Sequence, residues 1–100
     1  MNNKDLVIPE KYQKDIKTAV QILLSEGCQS VYFFGSLVTG KVHEHSDIDI
    51  GIKGLPKGMF FGTFSKVAFE MDNKIDIVDF DNNNDLFLLL DRLGEVVQIG

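Results

Sequence analysis

Three aspartates lie at spacings that suit metal-assisted phosphate chemistry. Asp47 and Asp49 fall two residues apart among alternating isoleucines, and Asp76 falls in a later segment of the same kind. Side chains two residues apart on a strand share a face and lie about 7 Å apart, so the first two carboxylates point the same way. Such carboxylates repel each other and suit hard cations, Mg²⁺ or Mn²⁺. Asp76 would join this cation site if its strand lies beside the first, and two ions could then clamp the attacking and leaving oxygens.

A glycine-serine pair precedes these carboxylates. Gly35 and Ser36 follow a short aromatic and β-branched run, and ten residues separate Ser36 from Asp47. A glycine at a strand end lets the backbone approach a phosphate, and the first N–H groups of a following helix attract anions. Each motif alone is weak evidence for a functional site. Two aspartates can simply be exposed at a strand edge, and a glycine-serine turn often only connects a strand to a helix. Together they indicate a phosphate site beside a cation site.

Hydrophobic periodicity predicts the elements that position these residues. The first is a helix from Pro9 to Gly27, whose apolar residues recur at helical spacing. Strands are predicted over residues 30–34, 46–53, 75–80 and 95–99, and further helices over 36–41, 60–71 and 85–93, with Gly94 ending the last. The alternating order predicts one α/β domain over residues 1–100, with helices covering a sheet.

Composition narrows the functional classes. The net charge is −5, which disfavours direct nucleic-acid binding, because duplex binders carry a basic face. Cys28 is the only cysteine, so no intramolecular disulfide is possible. We see no leader segment and no apolar run long enough to span a bilayer, and we expect a cytoplasmic protein. A chain of 100 residues leaves little room for a second substrate-binding half, so we expect a partner to complete the site.

The combined spacing resembles a known signature. The segment FGSLVTGKVHEHSDIDI, with Gly40 and Ser46 in place, is similar to the GSx10DxD motif of the nucleotidyltransferase superfamily related to DNA polymerase β. The later segment KIDIVD resembles that family's third-carboxylate strand. The likeness covers almost the whole chain and is closest to the minimal nucleotidyltransferases, including the MntA-type antitoxins of HEPN–MNT pairs. It implies the polymerase-β-like α/β (α+β) fold, a small mixed sheet of about four strands with helices packed on it.

This resemblance assigns roles to the five residues of the two motifs and the later strand. Asp47 and Asp49 would bind the Mg²⁺ ions that carry ATP, and the family pattern implies two such ions. Gly35 and Ser36 would hold its phosphates. Asp76 would complete the metal site and act as, or assist, the base for the incoming hydroxyl.

The sequence leaves two assignments of the family pattern undecided, namely the third carboxylate and the residue that replaces the arginine. Asp79 competes with Asp76 for the third role, but the two lie three residues apart and so on opposite strand faces, and the family pattern favours Asp76. Many members carry an arginine directly after the glycine-serine pair, where this chain has Leu37. A lysine would have to substitute for it, and the candidates are Lys41, Lys53 and Lys57.

The resemblance implies a Mg²⁺-dependent protein adenylyltransferase. It would transfer AMP from ATP to a hydroxyl of a helical HEPN-type toxin, neutralise that toxin and form a hetero-oligomer with it. The alternative is a catalytically weak antitoxin that masks its partner by binding. A P-loop is excluded because no Gly-Lys-Ser/Thr follows Gly35, and an EF-hand is excluded because Gly58 stands where its final glutamate belongs. An antibiotic-modifying transferase is disfavoured by the lack of a second substrate domain.

Overall fold

The seven elements of the described chain follow the predicted order. A computed structural model describes residues 8–35, 38 and 47–100. In chain order the elements are α1 (Glu10–Ser25), β1 (Ser30–Phe34), β2 (Ile48–Lys53), α2 (Phe60–Phe69), β3 (Ile75–Asp79), α3 (Asn84–Leu93) and β4 (Val96–Gln98). Their bounds differ from the predicted ones by a few residues at most. The predicted helix over 36–41 lies outside the described residues except for Val38, which is helical and buried.

The four strands form one mixed sheet in the order β3-β2-β1-β4. β1 pairs antiparallel with both β2 and β4, whereas β2 pairs parallel with β3. Parallel neighbours cannot be joined by a tight hairpin, and α2 supplies the crossover between them. The predicted mixed α/β fold is therefore confirmed.

One face of the sheet forms the hydrophobic core. Ile48, Ile50 and Ile52 of β2 are almost completely buried, as alternation along a strand requires. The core-facing side of α1 covers them with a stripe at helical spacing, and α2 packs beside α1. The buried residues of that stripe are Tyr12, Ile16, Ala19 and Leu23.

An aromatic cluster and α3 cover part of the opposite face. The ring of Phe80 lies 5.6 Å from that of Phe34 and 5.7 Å from that of Tyr32, and Phe87 of α3 lies 5.2 Å from both Tyr32 and Phe80 between ring centroids. Phe80 is fully buried because it rests on the backbone of Gly51, where a Cβ would overlap its ring. Gly51 therefore makes space for this cluster.

A buried carboxylate fixes the turn that leads into β3. Asp15 of α1 is 1% exposed. Its oxygens accept hydrogen bonds from the backbone N–H groups of Asp72 and Asn73 and from the Asn73 amide, at 2.8–3.1 Å. Burial raises the pKa of Asp15, but these hydrogen bonds outweigh it and hold the pKa below its ordinary value. The start of β3, and with it Asp76, is thereby tied to α1.

The Gly51 contact predicts opposite effects for two glycine-to-alanine changes. Gly51→Ala should lower the free energy of unfolding by about 1–3 kcal/mol or more, because the added methyl group displaces the Phe80 ring. Gly62→Ala is the matched control. Nothing lies within 4 Å of a Cβ there, and Gly62 is in the first turn of α2, where alanine is still the better helix former, so alanine should stabilise the protein by at most about 0.5–1 kcal/mol. Urea unfolding of both variants measures the difference, and equal effects would contradict the packing argument.

The Asp15 turn predicts a pH-dependent loss of stability. Asp15→Asn replaces an acceptor by a group that presents N–H to N–H donors, and should cost about 1–3 kcal/mol at pH 7. Because the folded-state pKa lies below the ordinary 3.8, the carboxylate's contribution is present above that value and is lost as pH falls through the folded pKa. Thermal unfolding between pH 7 and pH 3 should show the two proteins converging at the acid end. A constant gap would mean that the charge is not involved.

Candidate phosphate and metal site

The register of β2 and β3 brings the predicted carboxylates to one edge of the sheet. Asp49 and Asp76 are directly paired across the parallel ladder. Paired residues project to the same face, so both side chains lie on the face opposite the isoleucine core. Asp47 directly precedes β2, two residues from Asp49. The structure thus places Asp47 and Asp49 in succession and Asp76 beside Asp49 on β3, at the N-terminal ends of the two strands.

The Gly35 turn adjoins this group. Gly35 has φ +75°, a left-handed conformation that favours glycine, and the N–H of Val38 donates to its carbonyl at 3.1 Å. A Cβ at Gly35 would stand 2.5 Å from an Oδ of Asp49. Glycine is therefore required twice, for its backbone angle and for contact with the carboxylate. Ser36, the other predicted phosphate ligand, lies outside the described residues.

Burial and neighbouring charges disfavour the ionised form of Asp49. Burial raises its pKa to about 6, and the nearby charges of Asp76 and then Asp47 contribute in the same direction. An ionised Asp49 is consequently unfavourable in the folded protein near neutral pH unless a cation is close. Relief of such crowding is what a bound divalent ion provides.

Lys74 is the site residue that sequence reasoning missed. Its Nζ lies 3.7 Å from an Oδ of Asp47, in an exposed ion pair. The signal was present in the sequence, because Lys74 precedes Asp76 by two residues and so shares its strand face. In contrast, the Nζ of Lys53 lies 3.5 Å from the ring centroid of Phe87, at the other end of β2 from Asp49. Lys41 lies outside the described residues.

Asp79 is engaged elsewhere. It pairs with Ile52 across the ladder, at the opposite end of β3 from Asp76. Its carboxylate accepts hydrogen bonds from the Asp81 N–H at 2.9 Å and from the Asn82 amide at 3.0 Å. These contacts hold the turn between β3 and α3.

The donor set fits a hard divalent cation. The three site side chains offer only carboxylate oxygens, which Mg²⁺ prefers. Among residues 8–35, 38 and 47–100, however, no three acidic, histidine or cysteine side chains are gathered closely enough to enclose an ion. Lys74 contacts Asp47 instead. The site is thus a row of carboxylates that an ion, or a nucleotide bringing an ion, would draw together.

A nucleophilic thiol is not part of this chemistry. Cys28 is buried, and burial together with the charges of Asp79, Asp81 and Glu26 raises its pKa to about 11. A thiol of that pKa is unreactive at neutral pH.

Comparison with solved structures finds similar folds in toxin–antitoxin proteins and in a putative nucleotidyltransferase. A toxin–antitoxin crystal structure with AMP-PNP is 25% identical, with a TM-score of 0.63 over 82% of this chain and 69% of that one. A mutant of the toxin–antitoxin MntA–HpeT is 24% identical, with a TM-score of 0.61 over 84% and 70%. A putative nucleotidyltransferase from Sulfolobus solfataricus is 23% identical, with a TM-score of 0.51 over 89% and 82%. These last two likenesses concern the fold alone.

Sequence comparison gives the family. A search among curated proteins found no match. Within the part of the chain that the structure describes, none of the helices is long and apolar enough to cross a membrane. The family described as "Polymerase beta, Nucleotidyltransferase" matches residues 14–95, a span that includes β1, the Gly35 turn and all three site aspartates. The chain therefore belongs to the polymerase-β-like nucleotidyltransferase family.

Proposed function

We propose that this protein is a Mg²⁺-dependent nucleotidyltransferase that transfers AMP from ATP to a hydroxyl of a partner protein. The observation that carries the proposal is the contact between the Gly35 turn and the Asp49 carboxylate, with Asp76 paired beside it. A turn that admits a phosphate and a carboxylate row that suits its cation thus share one edge of the sheet.

Each residue of the site has a distinct task in this proposal. Asp47 and Asp49 would hold Mg²⁺, with Asp76 completing the set, and the ions would supply charge stabilisation for the transferred phosphate. Gly35 and Ser36 would hold the triphosphate through the turn. Lys74 would leave Asp47 for a phosphate oxygen, taking the place of the arginine that many family members carry.

The transfer step requires little covalent chemistry from the protein. The acceptor hydroxyl oxygen forms a bond to the α-phosphorus while the bond from that phosphorus to the bridging oxygen breaks, and pyrophosphate leaves. The hydroxyl proton passes to the carboxylate of Asp76, which is exposed and so open to an acceptor. Positioning and electrostatics supply most of the catalysis in such reactions, which a small domain can provide.

The acceptor is proposed to be a toxin of the helical HEPN class. The support is the likeness to a toxin–antitoxin structure crystallised with AMP-PNP, which combines a protein partner with a nucleotide analogue. AMP transfer to that toxin would neutralise it. In this proposal the two proteins form a hetero-oligomer in the cytoplasm.

A second candidate, masking by binding alone, is favoured by a different observation. The solvent face of α3 exposes several leucines, among them Leu86, Leu89 and Leu93 at helical spacing. A contiguous apolar stripe of this kind is typical of a surface that binds another protein. In this second candidate the domain covers its toxin without modifying it.

The proposed metal-binding role of Asp49 predicts two effects on protein stability, one without Mg²⁺ and one with it. Both can be measured without an activity assay. With the folded pKa raised from 3.8 to about 6, ionised Asp49 destabilises the protein above pH 6, and the penalty disappears as pH falls towards 3.8. Asp49→Asn should therefore raise the free energy of unfolding at pH 8 by about 1–2 kcal/mol in the presence of a chelator, allowing for solvent screening. The two proteins should converge near pH 4.

Mg²⁺ should reverse this order. Added Mg²⁺ should raise the melting temperature of the wild type and leave that of Asp49→Asn nearly unchanged, because binding to the folded state alone stabilises it. Asp85→Asn is the control, since Asp85 lies in the first turn of α3, at the far end of the sheet. Equal Mg²⁺ responses in all three proteins would remove Asp49 from the metal site.

Transfer of α-labelled ATP separates the two candidate functions. We expect label, in the presence of Mg²⁺, in a protein co-purified from the native host with the wild type and with Asp85→Asn. The double variant Asp47→Asn/Asp49→Asn, with folding checked by circular dichroism, should lose the label and its neutralising effect. Retained neutralisation by the double variant, with no label in any sample, would support masking instead.

A further inference from the structure

We propose that the cavity between β1, β4 and the C-terminal half of α3 binds the nucleobase of the nucleoside triphosphate and selects a purine that bears an exocyclic amino group. This inference rests on the proposed function and adds a specificity site to it. The residues that line the cavity and carry the argument are Tyr32, Phe87, Asp91, Val96 and Gln98.

The cavity lies on the same sheet face as the carboxylates. Tyr32 of β1 pairs with Gly51 of β2, which is two residues from Asp49 on that face, and Gln98 of β4 pairs with Tyr32 from the other side. Two residues along a strand span about 7 Å, and adjacent strands lie about 5 Å apart. The cavity is therefore displaced from Asp49 by on the order of 10 Å, diagonally across β1, which is the scale of a nucleoside.

The size and the walls of the cavity suit a flat aromatic ligand. Its volume is about 380 Å³, and it opens to solvent. Small-molecule sites usually combine such a volume with apolar walls and a few polar groups. Here the apolar wall consists of the rings of Tyr32 and Phe87, whose centroids lie 5.2 Å apart, with Val96 beside them. Aromatic side chains of this kind are the usual contact surface for a base.

The aromatic wall is held in place by packing. Tyr32 and Phe87 both contact Phe80, which is fixed on the backbone of Gly51, and the ammonium group of Lys53 lies over the Phe87 ring. These contacts come from two strands, the residue that follows β3, and one helix. The wall is thus formed by the fold itself before any ligand binds.

The charged side chain that lines the cavity is an acceptor. Asp91 of α3 is exposed and carries a carboxylate, which can only accept when ionised. The amide nitrogen of Gln98 already donates to the carbonyl of Gly100 at 3.1 Å, and its amide oxygen remains an acceptor. A ligand that satisfies these groups must present N–H donors. The exocyclic amino groups of adenine and guanine do so, whereas hypoxanthine lacks an exocyclic amino group and offers only its ring N1–H.

The experiment measures the affinities of ATP, GTP, ITP and inorganic tripolyphosphate in the presence of Mg²⁺, by calorimetry. The proteins are the wild type, Asp91→Ala and the control Asp85→Ala, which changes a carboxylate at the opposite end of α3. Alanine is a favourable helix residue, so neither variant should disturb α3. Thermal unfolding checks the fold of both.

We expect the wild type to bind ATP or GTP roughly tenfold more tightly than ITP, as a hydrogen bond to a charged group provides. Asp91→Ala should lose this preference and keep its affinity for tripolyphosphate, whereas Asp85→Ala should keep both. Whichever of ATP and GTP binds more tightly identifies the base. Gln98→Ala should weaken the same preference in part.

Two results would overturn the inference. If ATP, GTP and ITP bind the wild type equally, or if Asp91→Ala keeps the preference, the base does not lie against Asp91. These outcomes leave the proposed function standing, because tripolyphosphate binding is measured separately and does not involve the base. If neither tripolyphosphate nor any nucleotide binds, the proposed function fails, and the base site fails with it.

Discussion

The parallel pairing of β2 with β3 is the constraint on which the site depends. It sets Asp49 opposite Asp76, and a slip of one residue would turn either carboxylate into the isoleucine core. Two features hold the register. The isoleucines of β2 are buried on one face only, and Asp15 binds the turn from which β3 starts. A buried carboxylate on α1, remote from the site, thus helps to set the spacing of the site carboxylates.

The fold keeps an unfavourable charge where the proposed chemistry needs it. Asp49 is enclosed by the Gly35 turn and faces two further carboxylates, and its pKa rises to about 6 as a result. An uncharged residue would be more stable at this position, and the core below the strand compensates for the penalty. Asp15 shows the opposite balance, because its buried carboxylate receives hydrogen bonds from backbone and side-chain N–H groups. The difference between a structural aspartate and the proposed metal ligand is therefore visible in their surroundings.

Much of this arrangement could be predicted from the sequence because it follows from period and spacing. The alternation of residue types in β2 predicted which side chains face the core and which face away from it. The two-residue step from Asp47 to Asp49 predicted that these two carboxylates point the same way. The pairing of Asp49 with Asp76 could be expected only on the condition that the strands are neighbours, because strand order depends on contacts between distant segments. The contact of Lys74 with Asp47 and the seat of Phe80 on Gly51 were not foreseen for the same reason. A glycine in a strand was the available signal for the latter.

The two faces of the sheet are covered to different extents, and this asymmetry connects the fold to the proposed function. Two helices seal the isoleucine face, whereas α3 and four aromatic rings cover only part of the other. Gly51 allows the ring of Phe80 to lie directly on the strand within this aromatic cluster, and the carboxylate row beyond the cluster stays open. The open row and the exposed leucines of α3 leave room for both a nucleotide and a second protein. Under the proposed function, a domain of this size would serve as the nucleotide-binding half of a site whose acceptor comes from the partner.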